Sequence, residues 1–380
     1  LRLPRAMKIL VLCYEYPPVG GGGGRVASSV AEGLAAKGHD VRVISAGLRH
    51  LPRESRIHGV PVLRPESYRK KEDTCSVFEM ALYLVTSFFP AWSLCRRWKP
   101  DIIHAHFVVP TGALALALHF LTQIPYVLTA HLGDVPGGVP EQTDRLFSLL
   151  GPLIKPIWSH AAAVTSVSRF VAELASRNCG IKSQVILNGV PMLPTPPALS
   201  QSDTPRLVML GRLSIQKNPL LAVEALSFIR DLPWNLEVIG DGPLAEAMRE
   251  SAARHGISDR IHFLGWLDAE SVSAHLTGAD ILIMTSTTEG LPMAGIEALR
   301  HGLAIVGSRI GGLADVIEDK ENGFFCDMAP EAFALALRHL LTNRDECFAM
   351  RKASLNKVVD FCLSDRVDDY EALFESLAKR

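Results

Sequence analysis

Short apolar runs alternate with helical patterns along most of the chain. Met7 to Tyr14 is rich in strand formers, and beyond a turn of prolines and glycines the segment Arg25 to Lys37 has apolar residues at helical spacing and stops at Gly38. Val41 to Ile44 is the next short apolar run. Strand, glycine loop, helix and strand in this order predict a β-α-β unit with parallel strands.

The alternation repeats on both sides of a proline-rich break. Residues Pro191 to Pro205 hold five prolines and little to bury, which predicts a flexible interdomain linker. Further strands are predicted near Ile102–His104, Tyr126–Thr129, Ala163–Ser166 and Val185–Leu187, and beyond the break near Leu207–Leu210, Leu236–Ile239, Ile261–Leu264, Ile281–Met284 and Ala304–Val306. The pattern predicts two parallel α/β domains of similar size, whose ligands bind beyond the carboxyl ends of the strands.

Composition and charge narrow the classes of function. A chain of 380 residues is long enough for two domains. Its 39 lysines and arginines against 40 acidic residues give a net charge of −1, so it lacks the basic excess of a general nucleic-acid binder. Its seven cysteines are odd in number and none stand at C-x-x-C spacing, which argues against a disulfide framework or a cysteine zinc site and fits a reducing compartment.

Two apolar stretches are long enough to compare with a membrane span. Ser76 to Leu94 contains Glu79 and Pro90, and Phe107 to Leu121 is also interrupted, so neither is an unbroken apolar run of about 20 residues. Basic residues flank the first stretch, which therefore suits either a core helix with solvated ends or contact with an anionic lipid surface, and the core helix is favoured. No apolar stretch with a cleavage site precedes Met7, so we expect no secretory signal.

A run of five glycines, Gly20 to Gly24, lies between the first strand and the first helix. Glycines let a backbone approach a ligand closely, and a helix N-terminus favours an anion. A dinucleotide site needs G-x-G-x-x-G, but Arg25 occupies the third glycine position, and the second strand ends at Ser45 without a ribose-binding acid. No G-K-[ST] follows either, so both NAD binding and a P-loop are disfavoured.

Two cations follow the first strand of the second half. Arg212 and Lys217 lie in the run GRLSIQKN, at the strand end where ligands bind. An arginine fork and a mobile lysine charge can converge on one diphosphate. The alternative is a pair of solvated surface cations.

Two glutamates flank a predicted helix start. Glu289 precedes the helix Met293 to Arg300, which has Pro292 in its first turn, and Glu297 lies inside it. The free N–H groups of the first turn suit a phosphate, and carboxylates accept hydrogen bonds from hydroxyl groups of a sugar and a ribose. The alternative is an acid that complements the helix dipole together with a surface acid.

These features together resemble a known family. With E-x7-E at Glu289 and Glu297, the GRL-x3-KN run at Gly211–Asn218, the early glycine loop and His131, the chain resembles the retaining glycosyltransferases of family four. The resemblance implies an α/β GT-B fold of two Rossmann-like parallel-sheet domains facing a cleft. It implies an acceptor-side domain, 1–193, onto which a C-terminal helix at about 364–380 packs back, and a nucleotide-sugar domain, 194–363.

The resemblance also implies roles for individual residues. Glu297 would hold the ribose, and Arg212 and Lys217 the diphosphate. Glu289 would contact the donor sugar, helped by backbone N–H groups near three residues: Leu291, Met293 and Ala294.

Residues of the first half complete the implied donor site. The backbone at Gly22 and Gly23 would close on the phosphate, and His131 would lie near the donor sugar. The catalytic set implied by the resemblance is therefore His131, Glu289, Arg212 and Lys217.

The implied reaction moves a hexosyl group from a UDP or GDP sugar to a saccharide or lipid-linked acceptor, with retention. The sequence has no D-x-D triplet, so we expect no metal ion and no cofactor beyond the donor itself. The expected location is cytoplasmic, with peripheral contact to the inner face of a membrane left open. No nucleic-acid partner is expected.

Three alternatives remain. A sugar-nucleotide 2-epimerase of the same fold would convert the donor without an acceptor. A non-catalytic partner of a transferase would bind nucleotide only, and Arg212, Lys217, Glu289 and Glu297 argue against it. An NAD oxidoreductase is weakened by Arg25.

Overall fold

The structure is a computed structural model that describes residues 6–72, 75–139 and 151–378. It divides into two compact units. Unit 1 runs to Gly189 and resumes at Leu363, and unit 2 runs from Val190 to Cys362. The sequence had placed these boundaries at 193/194 and 363/364.

Unit 1 is built on an eight-stranded sheet with the order β10-β9-β8-β7-β1-β2-β5-β4. All neighbours are parallel except β4 and β5. The strands are β1 Lys8–Leu12, β2 Asp40–Ile44, β4 Glu54–Ile57, β5 Val60–Leu63, β7 Ile102–His106, β8 Tyr126–Ala130, β9 Ala163–Ser166 and β10 Gln184–Val185, and a separate pair is β3 Gly47–Leu48 with β6 Glu66–Arg69. The order reverses between β1 and β7, which makes the ends of these strands the ligand-binding switch point.

Helices cover both faces of this sheet, so its central strands are buried on both sides. Leu10, Ile103 and Leu128 face one core, while Ile9, Val11 and their neighbours face the other. The helices are α1 Gly22–Ala36, α2 Val77–Trp98, α3 Ala113–Thr122, α4 at 151–159, α5 Arg169–Cys179 and α12 Leu363–Ala378.

The last helix, α12, packs on the first, α1. Val367 fills the space over Gly33, where an added Cβ would lie 2.4 Å from a Val367 methyl carbon. Lys37 forms an ion pair with Glu371, and His39 Nε2 lies 2.8 Å from the same carboxylate. The contact of Val367 with Gly33 and the ion pair of Lys37 with Glu371 therefore hold helix α12 against unit 1. Most residues of unit 1 come much earlier in the sequence than this helix.

Unit 2 is a six-stranded parallel sheet with the order β13-β12-β11-β14-β15-β16. Leu207 of the central strand pairs with Leu236 on one side and with Ile281 on the other, so the switch point lies between β11 and β14. The strands are β11 Arg206–Leu210, β12 Asn235–Ile239, β13 Ile261–Gly265, β14 Ile281–Met284, β15 Ala304–Ser308 and β16 Gly323–Cys326, and the helices are α6 Pro219–Ser227, α7 Ala245–Arg254, α8 Ala269–Leu276, α9 Met293–Arg300, α10 Pro330–Thr342 and α11 Arg344–Lys357.

The proline-rich segment is held against unit 2, so the prediction of a flexible linker there is wrong. Arg351 Nη1 donates to the Ser200 carbonyl at 2.7 Å, and Arg344 Nη2 donates to the Ser202 carbonyl at 3.1 Å. At the start of the segment, Arg300 Nη1 donates to the Pro191 carbonyl at 3.0 Å.

The apolar stretch from Ser76 is the long helix α2. Within the described residues it is long and apolar enough to cross a membrane by length and composition, with a mean hydropathy of 1.3. Glu79 and Pro90, which interrupt the apolar run in the sequence, do not interrupt the helix. Glu79 completes a capping box with Ser76 in the first turn, and Pro90 is accommodated inside the helix.

Candidate functional site

The candidate residues of unit 2 lie on the loops that follow β11 and β14, at the switch point. These loops are joined by hydrogen bonds. Thr285 Oγ1 donates to the Lys217 carbonyl at 2.9 Å, and Gln216 Nε2 donates to the Thr288 carbonyl at 2.9 Å. These two hydrogen bonds join the β11 loop to the β14 loop.

Glycines allow the loops to approach closely. Gly211 has φ +135, and a Cβ on Gly240 would lie 2.0 Å from the Gly211 carbonyl oxygen. A Cβ on Gly312 would lie 1.8 Å from the Glu289 carbonyl oxygen. Any larger residue at Gly240 or Gly312 must displace the backbone that carries the candidate residues.

Lys217 and Glu289 are in direct contact, Nζ to Oε1. Ser286 Oγ donates a second hydrogen bond to the same oxygen at 2.7 Å. Glu289 is only 7% exposed, whereas a quarter of the Lys217 side chain, 25%, remains accessible. The predicted diphosphate cation and the predicted sugar carboxylate therefore neutralise each other in this structure.

Arg212 lies beside this pair. It lines a small cavity at the ends of β11 and β14, and the other lining residues include Gly211, Lys217, Thr285 and Ser286. The structure thus brings Arg212 and Lys217 to one cavity, as convergence on a single anion requires.

Helix α9 offers its N-terminus next to these groups in sequence. The first hydrogen bond of the helix is donated by Gly295 N to the Pro292 carbonyl at 3.0 Å. The N–H groups of Met293 and Ala294 lie before it, at the helix start, where N–H groups have no acceptor within the helix. Pro292 stands at the N-cap rather than inside the first turn, and Leu291 is buried.

Glu297 lies in the second turn of α9. Its Oε2 is 2.9 Å from Arg300 Nη2, and a quarter of its side chain, 25%, is accessible. Carboxylate oxygens accept hydrogen bonds from hydroxyl groups. Its role toward a ribose stays a prediction.

In unit 1 the predicted glycine loop is shorter than expected. Helix α1 begins at Gly22, so Gly22, Gly23 and Gly24 form its first turn rather than a loop. Gly24 is closely packed, because a Cβ there would lie 2.3 Å from the Glu15 carbonyl oxygen. Gly21 N, which ends the loop, donates to Glu15 Oε2 at 3.2 Å.

Gly23 lies against His131. A Cβ on Gly23 would come within 2.5 Å of Phe107 Cζ and 3.3 Å of His131 Nδ1. The Phe107 and His131 rings are stacked, with centroids 4.3 Å apart. The structure therefore brings together two of the unit 1 candidates, although they are separated by more than 100 residues in sequence.

His131 is held by its neighbours at the end of β8. Its backbone N donates to Asp134 Oδ2 at 2.8 Å, and Val108 N donates to Asp134 Oδ1 at 2.8 Å. His131 Nε2 lies 3.4 Å from His106 Nδ1. Burial lowers the pKa of His131 to about 4, so its imidazole is neutral near pH 7. Burial raises the pKa of Asp134 to about 7 against the opposing effect of its N–H bonds.

Sequence reasoning missed several of these neighbours. The residue Asp134, three positions after His131 in TAHLGD, carried a recognisable cap signal that was not used. His106 was treated as strand-end structure, and it lies buried in β7. Phe107 has φ +72, a conformation that no sequence pattern of a phenylalanine announces.

Across the ranges 6–72, 75–139 and 151–378, no three His, Cys, Asp or Glu side chains come together as a metal site requires.

Comparison with known proteins adds family and fold. Residues 196–357 match the family model described as glycosyl transferases group 1, and residues 20–192 match the model described as glycosyltransferase family 4. The glycogen synthase of Mycobacterium tuberculosis is 29% identical over 91% of this chain and 88% of its own length.

Two solved structures are similar over nearly the whole chain. Sucrose-phosphate synthase from Thermosynechococcus elongatus has a TM-score of 0.84 at 20% identity, covering 98% of this chain and 99% of the other. HepE of Anabaena, solved with UDP and glucose, has a TM-score of 0.76 at 17% identity, covering 97% and 100%. With these likenesses the predicted GT-B fold of two Rossmann-like parallel-sheet domains is confirmed.

Proposed function

Because the chain belongs to glycosyltransferase family four and is a hexosyltransferase, we propose that it transfers a hexosyl group from a UDP or GDP sugar to a saccharide or lipid-linked acceptor. The observation that carries this proposal is the contact of Lys217 with Glu289 beside Arg212, at the switch point of unit 2.

Positive charge at the site favours a nucleotide-diphosphate donor. A nucleotide diphosphate needs cations that approach two adjacent phosphates, and Arg212 and Lys217 line the same cavity. The unused N–H groups of Met293 and Ala294 add donors with the same preference for an anion. Glu297, partly accessible one turn further along α9, suits ribose hydroxyls.

The similar proteins support a nucleotide-activated donor and a saccharide product. HepE was solved with UDP and glucose, and the starch synthase IV of Arabidopsis thaliana was solved with ADP and acarbose. Glycogen synthase and sucrose-phosphate synthase, by their names, build saccharides. This support extends to the class of donor and leaves the sugar and the base to experiment.

The proposed chemistry retains the anomeric configuration. The bond from the anomeric carbon to the diphosphate oxygen breaks, and a bond from the acceptor oxygen to that carbon forms on the same face. The acceptor proton passes to a phosphate oxygen of the leaving nucleoside diphosphate. Arg212, Lys217 and the α9 N-terminus stabilise the charge that grows on the leaving group, so no metal ion is needed.

A neutral His131 fits this chemistry. Its low pKa keeps the ring uncharged, so it can accept or donate a hydrogen bond to a sugar hydroxyl without adding charge near an oxocarbenium-like transition state. The contacts implied for Gly22, Gly23 and His131 with the donor stay predictions.

We further propose a cytoplasmic location. All seven cysteines are free, which suits a reducing compartment. Peripheral contact with the inner face of a membrane is compatible with this location.

Product analysis tests the proposed function. The enzyme is incubated with UDP, GDP and ADP sugars, with and without a saccharide acceptor mixture, and the products are followed by mass spectrometry and NMR. We expect acceptor-dependent release of the nucleoside diphosphate, retention at the anomeric carbon, and unchanged rates in EDTA. Conversion of the donor alone would identify an epimerase. Loss of activity in EDTA that magnesium or manganese restores would contradict the metal-independent chemistry.

A further inference from the structure

The outward face of helix α2 is apolar over three turns. Phe78, Val85 and Phe89 are 74%, 65% and 66% exposed, and Ala81 between them is exposed as well. These positions recur at the spacing of one helix face. Between Glu79 and Arg96 this helix carries no charged residue. A helix on the surface of a globular domain normally presents polar residues there, so this face calls for a partner.

The opposite face of α2 is fixed to unit 1. Trp98 Nε1 donates to Asp40 Oδ2 at 2.8 Å, and the side chains facing the sheet are Tyr83, Ser87, Ala91, Cys95 and Trp98. Because the helix is held against the sheet from its middle to its end, it lies along the surface of unit 1. Its length and hydropathy therefore serve an interfacial position rather than a span.

The apolar surface continues onto the neighbouring helix. Helix α3 packs against α2, and its Phe120 and Leu121 are 55% and 57% exposed. We call Phe78, Val85, Phe89, Phe120 and Leu121 together the α2–α3 surface. Five large exposed apolar side chains on two adjacent helices exceed the scattered single residues that are usual on a soluble domain.

Cations flank both ends of α2. The exposed basic residues are Lys70 and Lys71 before the helix and Arg96, Arg97 and Lys99 at its end. Within the part of the chain that the structure describes, none of them forms an ion pair, and Arg96 lies over the Trp92 ring at 5.2 Å. Glu72, the acid that follows Lys71 directly, lies with its Oε1 3.0 Å from His50 Nε2. Glu79 accepts hydrogen bonds from Ser76 N and Lys70 N.

This combination selects one partner. From the apolar face and its cationic ends, we propose that the α2–α3 surface docks on an anionic phospholipid bilayer, with α2 parallel to the membrane plane. A second copy of the chain would bring two rims of the same sign together, which disfavours self-association through this face. The proposal refines the proposed function by favouring a lipid-linked acceptor, but it rests on unit 1 alone and stands whether or not the donor assignment holds.

Vesicle flotation of the full chain tests the docking surface. Vesicles of phosphatidylcholine are compared with vesicles that contain about one-third phosphatidylglycerol, at about 0.05 M and about 0.5 M salt. We expect binding to the anionic vesicles at low salt and weaker binding at high salt. Because each cation near such a surface is worth roughly fivefold in binding, the double variant R96Q/R97Q should lose about 25-fold.

Apolar variants separate docking from simple charge attraction. We expect V85D/F89D to abolish flotation, whereas L335D, an exposed leucine of unit 2 at 71%, should float like the wild type. Thermal stabilisation by UDP should be unchanged in V85D/F89D, which separates a failure of docking from a failure of the donor site and shows that the variant is folded. No flotation of the wild type, equal flotation of V85D/F89D and the wild type, or a dimer that V85D/F89D dissociates without vesicle binding would each overturn the proposal.

Discussion

Lys217 and Glu289 hold each other at the switch point of unit 2, with Ser286 donating to the same carboxylate oxygen. Lys217 was predicted to bind phosphate and Glu289 to contact the sugar. Their ion pair means that the charge of Lys217 is already neutralised before a donor binds. A diphosphate must therefore compete with Glu289 for Lys217 when it binds.

Removing the charge of Glu289 should separate binding from turnover. In E289Q the lysine loses its carboxylate, so we expect UDP to bind within about threefold of the wild type or more tightly, since a competing anion is gone. Turnover should fall by about 100-fold or more, because the sugar loses a charged hydrogen-bond acceptor. Calorimetry with UDP and steady-state kinetics check the two halves. A parallel loss of both would contradict competition for Lys217.

The two cations should contribute both to donor binding and to stabilisation of the transition state. We expect R212A and K217A each to lose about 2–4 kcal/mol of transition-state stabilisation, about 30-fold to 1,000-fold in kcat/KM. Matched controls are K352A and R254A, which remove exposed charges from other helices of unit 2 and should behave like the wild type. Wild-type kinetics in R212A and K217A would remove their assignment to the diphosphate.

Gly23 should be intolerant of one methyl group, and Gly21 should tolerate it. In G23A the Cβ meets Phe107 and the His131 ring, so the stacked pair must move. We expect a loss of about 10-fold to 100-fold in turnover with the fold retained, because small misplacements at a reacting site are costly. G21A is the control, since nothing lies within 4 Å of an added Cβ there. Equal activity of the two variants would mean that the position of His131 is unimportant.

The strands of the sheets could be predicted from the sequence in part. Strand runs such as Ile281–Met284 were predicted to the residue, because buried parallel strands read as short unbroken apolar runs. Strand β16, GFFC, was missed because it begins with a glycine and its two middle residues are only half-buried, so it does not form an unbroken aliphatic run. Contacts such as that of Gly23 with His131 could not be predicted, since they depend on packing between distant elements rather than on any local pattern.

Individual site residues could be predicted from the sequence, but their contacts could not. The positions of Arg212 and Lys217 followed from a strand end and from the family resemblance, whereas the contact of Lys217 with Glu289 appears only in three dimensions. Asp134 and Phe107 act on His131 through one backbone hydrogen bond and one stacked ring. No motif encodes such support, so sequence reasoning named His131 without its neighbours.

Buried histidines should make unit 1 sensitive to acid. Burial lowers the pKa of His104 to about 3, that of His131 to about 4, and that of His106 well below its ordinary value. Between about pH 4 and 6.5 these histidines are protonated in the unfolded chain but stay neutral in the folded protein. The free energy of unfolding therefore falls as the pH is lowered through this window. Asp134, with its pKa raised to about 7, acts in the opposite direction but is a single group.

Urea unfolding at pH 7 and pH 5 measures this dependence. Over that interval each of the three histidines lowers the free energy of unfolding by on the order of 2 kcal/mol, and Asp134 raises it by a similar amount. We therefore expect the free energy of unfolding to be roughly 3–4 kcal/mol lower at pH 5 than at pH 7. The variant H106N should show a smaller loss, and H262N, which alters an exposed histidine, should show the full one. A stability that is flat or rises toward pH 5 would contradict the neutral, buried cluster.

Binding of the intact donor to the whole enzyme tests the central claim most directly. The measurement is the thermal shift of the wild type, R212A and K217A with UDP, GDP and ADP sugars. A ligand at 100 times its dissociation constant adds about 2.7 kcal/mol to the free energy of unfolding. The account predicts that at least one nucleotide sugar stabilises the wild type and that this stabilisation is lost in both variants. A wild type that no nucleotide sugar stabilises, or variants stabilised as strongly as the wild type, would contradict it.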